Sequence, residues 1–138
     1  MKKKLSCILL VDDDDSCIEF HKIIINILKC TDNIEEAKDG EKAMAYLQSS
    51  INGQNPKPDI IFLDINMPRM NGWEFLDEYI KLDEKYRAKI IIIMVSSSLN
   101  PEDRIRAENI SCVNGFAEKF LTQESVNKIL LKQFPEYM

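Results

Sequence analysis

The chain has 138 residues, a formal net charge of −5, and a composition that is 45% hydrophobic and 30% charged. That suits one globular domain able to bury its own core, and it excludes disordered, fibrous and disulfide-stapled classes. The acidic balance argues against direct nucleic-acid binding, since the only dense basic run is Lys2-Lys3-Lys4 at the start of the chain.

The opening MKKKLSCILLV has too short an apolar stretch for a signal peptide and runs straight into Asp12-Asp13-Asp14-Asp15. No apolar run approaches the length of a membrane span. We therefore expect a cytoplasmic protein with no membrane partner, forming a single domain over 1–138.

Leu5 to Val11 reads as a strand buried on both faces. An amphipathic helix follows, with Ile18, His21, Ile25 and Leu28 on one face and Ser16 and Glu19 at capping-box spacing. Ile34 to Ala37 is a weaker strand, and Ala43, Met44 and Leu47 mark the inner face of a second helix. The turn formers from Ser49 to Pro58 read as a surface loop inside the domain.

Ile60 to Leu63 is a further apolar strand. Asn71 and Glu74 have capping-box spacing before a third helix that turns Phe75, Leu76, Tyr79 and Ile80 inward. Ile90 to Val95 is a fourth strand, and Asn100-Pro101-Glu102-Asp103 starts a fourth helix with a cap, a proline and acids. Cys112 to Ala117 is the fifth strand. Thr122 caps the last helix, whose inner face is Val126, Ile129, Leu130 and Phe134. Five strand–helix alternations predict an α/β fold, a doubly wound parallel sheet with helices on both faces and a core at about 5–134.

The four cysteines (Cys7, Cys17, Cys30, Cys112) have neither zinc nor telling disulfide spacing and read as buried reduced thiols. The single histidine, His21, falls on an apolar helix face and reads as structural.

In such folds reactive groups gather at the carboxyl ends of the strands. The first strand ends in Asp12 and Asp13, the third in Asp64, the fourth in Ser96 and the fifth near Lys119. Carboxylates brought together there would repel unless a cation joined them, and hard oxygen donors suit Mg²⁺. Taken singly, the acidic run could cap a helix, Ser96 could be a loop serine, and Lys119 a solvated lysine. Asp64 is harder to explain by packing, because it ends an apolar strand and burying a charge is costly. The joint arrangement favours a site.

Several segments, in order, resemble the receiver domain of two-component response regulators: Leu9-Leu10-Val11-Asp12-Asp13, Pro58-Asp59-Ile60-Ile61-Phe62-Leu63-Asp64-Ile65-Asn66-Met67-Pro68, Asn71-Gly72, Met94-Val95-Ser96-Ser97 and Phe116-Ala117-Glu118-Lys119. The resemblance implies a flavodoxin-like sheet of order 2-1-3-4-5. It also implies Asp64 as phosphoacceptor, with Mg²⁺ or Mn²⁺ held by Asp12, Asp13, Asp64 and the backbone carbonyl of Asn66. Ser96 and Lys119 would grip the phosphoryl group, and Ser96 and Phe116 would act as the switch pair. Asn66 and Ser98 would tune the phosphate lifetime. The implied partners are a histidine kinase or histidine phosphotransfer protein and a downstream target protein. The chain would be a monomer or a weak homodimer through the face made by the fourth helix, fifth strand and fifth helix.

Three departures stand out. Phe120 follows Lys119 where the family usually has proline after a cis peptide bond. The Ser49–Pro58 loop is longer than in a minimal receiver, and we expect no output domain after the last helix. Among rivals, an aspartyl-phosphate phosphatase typically has a second acid two residues after its nucleophile, and here that position is Asn66. A degenerate receiver that only binds partners is the other alternative. A nucleotide-binding fold lacks the glycine-rich fingerprint after the first strand.

Overall fold

The computed structural model describes residues 4–50, 53, 56–83, 86, 90–96 and 100–135. Strands β1 (Ile8–Val11), β2 (Ile34–Ala37), β3 (Ile60–Asp64), β4 (Ile91–Ser96) and β5 (Val113–Glu118) alternate with helices α1 (Asp15–Leu28), α2 (Gly40–Gln48), α3 (Gly72–Ile80), α4 (Pro101–Glu108) and α5 (Gln123–Gln133). The sheet is parallel, in the expected order β2-β1-β3-β4-β5.

Side-chain alternation splits the central strands between two cores. Leu9, Val11, Ile61, Leu63, Ile92 and Met94 pack with α2, α3 and α4 through Ala43, Leu47, Phe75, Leu76, Tyr79 and Ala107. Ile8, Leu10, Ile60, Phe62, Ile93 and Val95 pack with α1 and α5 through Ile18, Ile25, Val126 and Leu130. A strand buried on both faces needs apolar residues at every position, which is why β1 and β3 read as unbroken runs. The edge strands β2 and β5 are half-covered and carry polar residues.

Two expectations are corrected. Asp14, not Ser16, caps α1: its carboxylate accepts from the Ser16 and Cys17 amides, because the helix begins at Asp15. Ile80 is 46% exposed, since it closes the last turn of α3 beyond the edge of the core. The caps expected at Asn71, Asn100 and Thr122 are present, the first with its full capping box. Ser97, Ser98 and part of the Ser49–Pro58 loop lie outside the described residues.

A second feature shapes the rim of the sheet. Arg69, in the loop between β3 and α3, donates from Nε (3.0 Å) and Nη2 (2.6 Å) to the fully buried carboxylate of Asp39, the N-cap of α2. The Gly40 amide donates to the Met70 carbonyl (3.1 Å), an approach so close that a Cβ on Gly40 would lie 2.6 Å from Met70 Cγ. The loop after β3 is therefore tied to α2. Among the described residues, no helix is long and apolar enough to cross a membrane.

Candidate functional site

The order β2-β1-β3 reverses direction at β1, so the carboxyl ends of β1 and β3 border a crevice. Asp12 directly follows β1 and is held there by its amide, which donates to the Ala37 carbonyl (3.0 Å). Asp64 is the last residue of β3, beside Val95 of β4. Ser96 ends β4 and is buried; its carbonyl accepts from the Lys119 amide (2.8 Å), which carries the lysine onto the same rim. The ladder hydrogen bonds that align the strands thus align the polar residues at their ends.

Asp12, Asp13 and Asp64 each offer a carboxylate oxygen, and the three oxygens lie within 4.8 Å of one another. Asp12 and Asp64 are only 5% exposed, whereas Asp13 reaches solvent. Lys119 Nζ lies 3.0 Å from Asp12 Oδ2 and 3.6 Å from Asp64 Oδ2. The other Asp12 oxygen accepts from the Asp14 amide (2.9 Å). Three carboxylates face one ammonium, leaving two negative charges for a divalent cation to match.

Burial and the neighbouring charges set the protonation of the site. Burial and then the Asp12 charge push the Asp64 carboxyl up to about 6, against the opposing pull of Lys119 and a hydrogen bond from the Asn66 amide. Burial alone would lower Lys119, but its contacts with Asp12 and Asp64 outweigh that and raise it. A hard, oxygen-seeking cation between the acids would relieve their repulsion, and the donor set fits Mg²⁺ or Mn²⁺.

A layer below the acids explains two residues the sequence left as structural. Burial, then the hydrogen bond and charge of Asp12, push the Cys17 thiol up to about 12, so it stays protonated. His21 is buried and lowered by that burial to about 4. It is neutral, and its Nε2 accepts from the Leu121 amide (3.0 Å), which puts the ring proton on Nδ1 beside Cys17 Sγ (3.7 Å). His21 thus ties α1 to the loop that carries Lys119. Phe120 packs edge-on against Phe20 (5.6 Å) and His21 (5.9 Å), and the Lys119–Phe120 peptide is cis.

Phe116 lies on β5, half-buried, and with Ile93, Ala107, Val113 and Ile129 it lines a groove of about 340 Å³ between α4, β5 and α5. Asn66 is exposed and enters the site through its backbone. One requirement went unread in the sequence: a Cβ on Gly72 would lie 2.6 Å from the Asp64 carbonyl oxygen, so the start of α3 presses directly on the end of β3. The glycine after the Asn71 cap was the available signal.

The description of the response regulator receiver domain matches residues 8–132. Among solved structures the chain is similar to a two-component response regulator from Cytophaga hutchinsonii, 32% identical with a TM-score of 0.87, covering 97% of this chain and 100% of that one. It is also similar to the Mn²⁺-bound form of the response regulator Rcp1, a protein of Synechocystis, at 26% identity and a TM-score of 0.68 over 95% of this chain and 94% of that one. A curated relative, the probable methanogenesis regulatory protein FilR2 of Methanothrix harundinacea, is 28% identical over 94% of this chain and 81% of its own length. Other curated relatives are longer, the chain spanning 31% of one and 52% of another.

Proposed function

The chain belongs to the response regulator receiver domain family of two-component signalling, and from that premise we propose that it is a cytoplasmic phosphoacceptor switch working through Asp64. The observation that carries this reading is the meeting of Asp12, Asp13 and Asp64 within 4.8 Å, with Lys119 3.6 Å from Asp64. A charged group is kept at a buried strand end only where its chemistry is used or its charge is compensated.

In the proposed reaction a carboxylate oxygen of Asp64 attacks the phosphorus of a phosphohistidine on a histidine kinase or phosphotransfer protein. The new O–P bond forms as the N–P bond breaks, and that electron pair leaves on the imidazole nitrogen. Asp12, Asp13, Asp64 and the Asn66 carbonyl would hold Mg²⁺ or Mn²⁺, which supplies positive charge to the reacting oxygens. Lys119 adds a fixed positive charge beside the acceptor, and Ser96 a hydroxyl on the same rim.

Phosphorylation adds close to two negative charges to the rim. Ser96 then moves toward the phosphoryl group and Phe116 turns inward from its groove. That reshapes the α4–β5–α5 face for a downstream protein, by shifting a population between two conformations.

The test is incubation with acetyl phosphate and Mg²⁺, followed by intact-mass measurement. The native chain is expected to gain the mass of one phosphoryl group and Asp64→Asn to gain none. Equal labelling of both proteins, or labelling of neither, overturns the assignment.

A further inference from the structure

The loop between β3 and α3 holds Asn66, whose carbonyl the proposed site uses, and it is anchored at both ends. At its base the Gly72 amide donates to the Ile65 carbonyl (2.8 Å) and the Ile65 amide to the Val95 carbonyl (3.3 Å). At its apex Arg69 takes φ +61°, the left-handed region that an arginine enters only when surrounding contacts hold it there. Those contacts are the two-pronged bond to Asp39 and the bond between Gly40 and Met70, with the Met70 amide also donating to the Pro68 carbonyl (2.7 Å).

Asp39 is suited to serve as the anchor. Its Oδ2 receives both Arg69 donors while Oδ1 receives the Lys42 amide (2.9 Å), so the carboxylate is fixed to the first turn of α2. Burial alone would raise its pKa, but the Lys42 amide and Arg69 hold it below the usual range, so it stays charged. The guanidinium fork fixes orientation as well as distance, which a single ammonium would not.

We propose that the Asp39–Arg69 pair is a positioning device for the phosphorylation site: it holds the loop after Asp64 so that the Asn66 peptide faces the acidic cluster ready for the cation. This rests on the phosphoacceptor reading above. Neither residue touches the acids. Their effect passes through the backbone from Arg69 to Asn66, as second-layer contacts orient metal ligands elsewhere.

The experiment compares the native chain with Arg69→Ala, Arg69→Lys and Asp39→Asn. Asp39→Asn keeps a cap for α2 and guards against a variant that fails to fold. Mg²⁺ affinity is measured by calorimetry, amide exchange is followed along the whole metal-free chain, and acetyl-phosphate labelling is timed at limiting and saturating Mg²⁺.

Arg69→Ala is expected to weaken Mg²⁺ binding about tenfold, with Arg69→Lys in between. The Gly40 and Met70 amides should exchange faster than in the native chain, while those of β1 and β3 are unchanged. Labelling should slow by the same factor at limiting Mg²⁺ and recover at saturating Mg²⁺. Native Mg²⁺ affinity in folded Arg69→Ala and Asp39→Asn overturns the inference and leaves the phosphoacceptor reading standing. A native chain that binds no Mg²⁺ overturns both.

Discussion

Two buried carboxylates on the same rim have opposite fates. Asp39 has no exposed surface yet is held below the usual carboxylate range by a backbone amide and a guanidinium. Asp64 is nearly as buried and is pushed up to about 6, first by that burial and then by Asp12. Burial alone therefore does not mark a reactive acid. The difference lies in what faces the charge: Asp39 faces a guanidinium and a backbone amide, whereas Asp64 shares its one nearby ammonium with a second buried carboxylate, Asp12.

The sharpest way to break this comparison is Asp64→Asn. All phosphoryl labelling should disappear, and the metal-free protein should become more stable at neutral pH because one of three crowded charges is gone. The pH profile carries the sign. A carboxyl raised in the folded state binds more protons there than in the unfolded chain, so wild-type stability falls as pH rises from about 4 to about 6. The stability gap between Asp64→Asn and wild type should open over that window to about 3 kcal/mol, read from urea unfolding without metal. Mg²⁺ should stabilise the wild type strongly above pH 6 and little at about pH 4.5, because its ligands must be deprotonated.

His21 titrates in the opposite sense. Its folded pKa of about 4 lies below the unfolded value of 6.5, so its contribution is lost as pH falls through that range. His21→Ala should cost about 2 kcal/mol at pH 7 by leaving the Leu121 amide without its acceptor, and it should flatten that acid limb. Asp39 also gives stability that is present at neutral pH and lost as its carboxyl protonates in acid. Arg69→Ala, which removes the two donors facing the buried Asp39 carboxylate, should lower stability in denaturant unfolding. The exposed Lys4–Asp32 pair sets the lower end of the scale. Lys4→Ala should change stability by less than about 0.5 kcal/mol, within the error of the same measurement.

How much of this the sequence disclosed follows from the range of each interaction. Strands buried on both faces announce themselves as apolar runs, so β1, β3 and β4 and the polar residues ending them were legible. The caps at Asn71, Asn100 and Thr122 were legible because a cap acts within one turn. The cap of α1 lay between two readings, the Ser16–Glu19 spacing and the acidic run, and Asp14 of that run takes it, since only the helix start chooses between them.

The Asp39–Arg69 pair spans 30 residues and joins two loops, each unremarkable by itself. The crowding of Gly72 against the Asp64 carbonyl is likewise a contact between separate backbone segments: the glycine is visible in the sequence, but the carbonyl it approaches is not. Phe120 departed from the expected proline, and the sequence alone did not say whether the peptide before it would be cis.

The central claim is that Asp12, Asp13 and Asp64 lie together as a cation-dependent acceptor. Calorimetric titration of Mg²⁺ into the native chain, Asp13→Asn and Asp64→Asn at neutral pH tests it most directly. The account predicts saturable binding to the native chain and at least about tenfold weaker binding to each variant. Equal affinity in all three proteins would contradict it.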